Sequence, residues 1–172
     1  ELLQEALKRD GDHHRARAAL GMAWARVAED AKAKKELEAA FGADPYDVRT
    51  AKHLTILYDD VLKQMPTLPG TFVDLRVHKK ERKVLERSVQ PFLQQSIEQL
   101  DKAYGFAAKR PLLVEIFPTV QQFAVRTVGL PQMGAHAVCF GHLVTSRSPV
   151  GEPFNWKLVL FHELSHVYHI QA

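Results

Sequence analysis

The sequence predicts a chain of two parts: an all-α region of paired helices over residues 1–66, then an α+β lobe with a mixed sheet over residues 70–172. Three observations carry this. Up to Met65 the chain is alanine-rich and almost free of β-branched residues, with apolar positions at helical spacing. MPTLPG (65–70) interrupts that pattern with two prolines and a glycine, which marks a boundary. Beyond it, short strand-like runs alternate with amphipathic helices.

The helical region is periodic. A 34-residue count from His14 puts Leu20, Gly21, Trp24, Ala33, Leu37, Ala40 and Pro45 at the packing positions and terminal proline of a tetratricopeptide repeat. Leu3, Ala6 and Leu7 fall on the second helix of a preceding repeat, and Ala51, Leu54 and Tyr58 on the first helix of a following one. Gly21 and the alanines let two helices approach, while Trp24, Leu37 and Phe41 fill the space between them.

In the second part, TFVDLRV (71–77) alternates like a half-buried strand. Residues 79–105 form a long helix with Val84, Leu85, Val89, Leu93, Ile97, Leu100 and Tyr104 on one stripe and Gly105 as its stop; Pro91 should kink or break it. PLLVEIFP (111–118) reads as a strand, and residues 119–129 as a helix capped by Thr119 and stopped by Gly129. GAHAVCFGHLVTS (134–146) reads as two strands about a glycine turn, and residues 151–172 as a final helix capped by Asn155.

Composition narrows the function classes. With 46% hydrophobic and 25% charged residues the chain can bury a core, and its formal charge of +3 is spread over mixed-sign helix faces, so no nucleic-acid partner is expected. No run reaches the ~18–20 apolar residues of a membrane span. The single cysteine, Cys139, lies in an apolar run and reads as a buried, inert thiol. The chain opens and closes within helical patterns and reads as a piece of a longer protein, so no compartment is assigned.

The chemistry sits in FHELSHVYH (161–169). On a helix, His162 and His166 project from one face about 6 Å apart along the axis and can grip one zinc ion. Glu163, about 100° round, reaches a metal-bound water as general base without taking the metal. With 9 His and 11 Glu in 172 residues the motif arises by chance about 0.03 times per chain. Its flanks Leu160, Leu164 and Val167 suit a helix beneath a cleft. Exposed, those three would drive association.

A catalytic zinc needs a third protein ligand. The metzincin continuation is excluded, because His169 and Ala172 stand where it needs glycine and histidine. His169 lies a turn beyond His166 and reads as a supporting or surface histidine. His136, His142 and Glu152 are possible but unmotivated, and a glutamate on a helix after residue 172 is the remaining option.

On these residues, region 70–172 resembles the amino-terminal lobe of a gluzincin metallopeptidase, specifically the bacterial peptidase-MA-like domains that follow tetratricopeptide repeats. The resemblance implies zinc as cofactor, held by His162 and His166, with Glu163 as general base and the third ligand a glutamate beyond residue 172. It implies a peptide or protein substrate pairing with an edge strand at Gly134, Ala135, His136 and Ala137, and a protein partner for the repeats. Related aminopeptidases carry a glutamate where this chain has Ala137, so aminopeptidase specificity does not carry over. The 172 residues alone are expected to be inactive or nearly so, and the rival reading is a repeat scaffold whose peptidase-like domain only binds.

Overall fold

The computed structural model describes all of residues 1–172. Helices α1 (Leu2–Arg9), α2 (His14–Arg26) and α3 (Asp30–Ala43) are followed by α4 (Val48–Lys52), which runs on as a wider π-helical segment over His53–Val61. The rest alternates: β1 (Thr67–Leu68), β2 (Val73–Val77), α5 (Arg82–Tyr104), β3 (Leu112–Phe117), α6 (Val120–Val128), β4 (Ala137–Phe140), β5 (Leu143–Arg147) and α7 (Trp156–Gln171). The fold is α+β, with seven helices and a mixed five-stranded sheet of order β1-β2-β3-β5-β4. β2, β3 and β5 are parallel, and the outer strands β1 and β4 run antiparallel to their neighbours. No helix is long and apolar enough to cross a membrane.

Local chemistry sets most boundaries. The Thr119 side chain accepts from the Gln122 N–H, and Gly129 closes α6 at φ +74°. An added Cβ at Gly129 would lie 2.6 Å from Arg49 Cγ, so the glycine also admits α4. At Gly21 the same atom would lie 2.7 Å from Leu37 Cγ, the close approach that the periodicity of α2 and α3 predicts.

Three expectations change. α5 runs unbroken through Pro91. The proline costs one backbone hydrogen bond, but it lies on the exposed face, and the stripe Leu85, Val89, Leu93, Ile97 and Leu100 packs as one surface on the sheet. Val84 is exposed rather than part of that stripe, because neighbouring helical residues point ~100° apart and Leu85 takes the inward position. The stretch 65–70 is also more than a break, since Thr67 and Leu68 pair with Arg76 and Leu75.

Alternation along the strands gives the sheet two different faces. Val73, Leu75, Val77, Leu112, Val114 and Ile116 join α5 and α7 in one core of 18 residues. On the opposite face Phe117 meets Phe123 and Val125 of α6 and then Ala25, Ala33, Leu37, Leu57 and Tyr58 from the helical region. The helical region and the lobe therefore share this second core.

Within that interface lies a buried ion cluster. Arg126 donates from Nε to Glu115 Oε2 at 2.7 Å and from Nη2 to Oε1 at 3.1 Å. Arg76, the cross-strand neighbour of Glu115, donates to Glu115 at 2.8 Å and to Asp30 of α3 at 2.7 Å. Burial opposes the Arg126 charge, but Glu115 and Asp30 outweigh it and hold its pKa above the ordinary value. Replacing Glu115 with alanine leaves two guanidinium groups short of a counter-charge; urea unfolding should show a loss of roughly 3–5 kcal/mol. Removing Glu5 from its exposed pair with Arg9 should cost about 0–1 kcal/mol in the same assay.

His53 is fully buried near that cluster, and neither ring nitrogen has a partner. Burial first, then the charge of Arg126, lowers its pKa from 6.5 to about 4. Between those values the unfolded chain takes up a proton that the folded chain refuses, so His53 makes stability fall as pH drops from 6.5 through 4. The contribution is up to about 3 kcal/mol, and His53→Gln should flatten that part of a stability–pH profile measured by urea melts.

Candidate metal centre

α7 begins where the Asn155 side chain accepts from the Leu158 N–H at 3.3 Å. It is held from below by Leu160, Leu164, Val167 and Tyr168, all in the first core. These apolar residues are thus covered, which removes the association expected from their exposure; Leu158 and Ile170 are the exposed ones. The Tyr168 hydroxyl donates to Asp101 Oδ1 at 2.6 Å and lies 3.2 Å from the Ile97 carbonyl, tying α7 to α5. Arg110 also pairs with Asp101 and lies over the Phe72 ring, 4.0 Å from its centroid. Burial raises the Asp101 pKa, but the Tyr168 hydrogen bond and Arg110 more than offset it and hold the carboxyl below its ordinary range.

With its inner face anchored, α7 turns His162 and His166 outward. Their Nε2 atoms lie 3.1 Å apart with the rings at 86°. Two nitrogens each bonded to a tetrahedral zinc lie about 3.3 Å apart, so the donor pair fits such an ion with little adjustment. Glu163 lies beside them, half-buried.

A cleft of about 430 Å³ opens between α7 and the approach to β4. Leu158, Val159, His162 and Glu163 line one side, and Ala135, His136 and Ala137 the other. Three of the four residues expected for substrate binding thus share a cleft with the motif, while Gly134 is exposed outside it. The strand begins at Ala137, later than the expected 134, although the His136 carbonyl still accepts from the Arg147 N–H at 2.9 Å. β4 is an edge of the sheet, with one side free of strand partners.

Of the candidate third ligands, only His136 shares the cleft with the motif. Glu152 pairs with Arg147, and His142 lines a different cavity with Lys109 and Gln171. His136 stacks on Phe154 with ring centroids 4.8 Å apart. His169 Nε2 lies 2.7 Å from the Tyr104 hydroxyl. No three His, Cys, Asp or Glu side chains form a group that could hold a metal ion. Cys139 is half-buried rather than fully buried; burial first, with a smaller contribution from the Glu163 charge, pushes its thiol up to about 11, so it stays protonated and inert.

Sequence reasoning missed the Tyr168–Asp101–Arg110 anchor, because nothing in the spacing of these residues marks them as partners. Comparison with protein-family models, with curated proteins and with solved structures gives no match.

The donor geometry makes a direct expectation about metal. Zinc titrated into the protein, followed by competition with a chromophoric chelator, should bind at a site that His162→Ala or His166→Ala removes. A Glu163→Gln variant should bind it nearly as well as the unaltered chain.

Proposed function

We propose that the chain belongs to a zinc-dependent metallopeptidase of gluzincin type, in which tetratricopeptide-like helices recruit a protein partner or substrate. The observation that carries the reading is the convergence of His162 and His166 to 3.1 Å beside Glu163, on a cleft that Ala135 to Ala137 also line. Zinc held by His162, His166 and a third donor outside these 172 residues would supply Lewis acidity to the scissile carbonyl.

The remaining work falls to the chain's own groups. An extended peptide lies along the free edge of β4, pairing its backbone with the strand and placing its carbonyl over α7. Glu163 takes a proton from the attacking water as the water oxygen bonds to the carbonyl carbon. The carboxyl then hands that proton to the amine nitrogen as the carbon–nitrogen bond breaks, so Glu163 ends the cycle ionised, as it began. Ala137 offers no charge to a substrate's free amine, which favours cleavage within a chain over removal of its first residue.

A second reading has one observation in its favour: only two metal donors converge here. On it, the same cleft binds an extended segment without cleaving it, and the helical repeats act as a scaffold. One variant separates the two. In the full-length protein, assayed for hydrolysis of a quenched fluorescent peptide mixture, Glu163→Gln should lower the rate about 10²–10⁴-fold while metal content holds. Hydrolysis that survives the substitution sinks the role given to Glu163, and a full-length protein with bound zinc but no hydrolysis favours the scaffold.

A further inference from the structure

A second concave surface lies away from the motif. Helices α1, α2 and α3 enclose a groove of about 470 Å³. Its floor is apolar: Leu20 is buried, and Leu7 and Trp24 are half-buried. Its rim is basic. Lys8, Lys32 and Lys35 are all exposed around it, and Lys8 and Lys35 form no ion pair within the chain.

The groove's one carboxylate does not offset this charge. Glu36 accepts from Arg17 Nη1 at 3.0 Å, and Arg17 is fixed further by donating to the Gly11 carbonyl at 2.8 Å. Lys32 lies over the Trp24 ring, its ammonium 4.7 Å from the centroid, and its only ion pair is the exposed contact with Glu29 at 3.2 Å. The result is an apolar slot bordered by three lysines, two of them without a counter-charge.

We propose that this groove binds an acidic peptide segment carrying an apolar side chain, its carboxylates meeting Lys8, Lys32 and Lys35 and its apolar group seated on Leu7, Leu20 and Trp24. The proposal rests on reading the helical region as a recruiting module and is independent of the metal chemistry. Charge complementarity selects the occupant. A nucleic acid fits less well, because Lys32 occupies the face of Trp24, the groove's only aromatic ring, where a base would stack.

The test uses a fluorescein-labelled octapeptide, Asp-Glu-Leu-Asp-Glu-Leu-Glu-Asp, titrated with the 172-residue chain and read by fluorescence anisotropy. Saturable binding is expected, weakening about tenfold when salt rises from about 50 mM to about 300 mM. Lys8→Glu combined with Lys35→Glu should weaken it by about tenfold or more, and so should replacing both peptide leucines with serine. Both lysines are exposed, so an unchanged thermal melt of the double variant confirms that folding is intact. The proposal is overturned if binding does not saturate, if the double variant binds equally well, or if polyuridylate displaces the peptide at comparable concentration. Anisotropy is read with no metal added and hydrolysis is read in the full-length protein, so failure of the peptidase reading and failure of this one are read separately.

Discussion

The arrangement of the molecule depends on one buried charge cluster. Glu115 and Arg126 are almost wholly excluded from water, and each would be expensive to bury alone. They are tolerated because Arg76 and Asp30 complete a group of two cations and two anions, whose charges cancel. The four side chains come from β2, β3, α3 and α6, so the cancellation holds only when those elements sit in one relative position. A purely apolar interface could slide by a fraction of a turn at little cost, whereas this one cannot move without separating charges in a low-dielectric setting.

That fixed position matters for the cleft. The core built around Leu37, Leu57, Phe117 and Phe123 also supports Met133, Ala135 and Val138, which lead into and form part of β4. Ala135 thus rests on the helical region with one side and faces the cleft with another. Arg26 of α2 adds a contact over the Phe140 ring, 5.6 Å from its centroid, at the far end of the same strand. The helical region is part of the foundation of the candidate substrate edge, and the ion cluster sets where that foundation stands. On the other side of the cleft, α7 is placed by the first core, against which Cys139 of β4 also packs, and by Tyr168.

What the sequence discloses follows from how local each signal is. Thr119, Gly129 and Asn155 act within one helical turn, and their caps lie where the sequence puts them. Gly21 and Leu37 are legible through their spacing, since close helix packing needs a small residue opposite a large one. The His162 and His166 pair is local for the same reason. Pro91 does not break α5 because its penalty is local while the face that overrides it spans the whole helix. The ion cluster is invisible beforehand: Asp30, Arg76, Glu115 and Arg126 look like ordinary surface charges until the sheet brings them together. The same holds for the lysine-rimmed groove, whose residues lie on three helices.

The two motif histidines are also positioned in a way that bears on metal affinity. At 3.1 Å one Nε2 donates to the other, which requires that the accepting nitrogen carry no proton. Taking up an ion means moving the donor's proton to Nδ1, which forfeits a neutral hydrogen bond worth about 1 kcal/mol. That loss is small beside the ~10–16 kcal/mol that a complete structural zinc site contributes. The two rings already converge above a helix whose inner face packs in the first core, so little movement is needed to bring the donors together. On the zinc reading proposed above, affinity would be limited by the number of donors rather than by their arrangement.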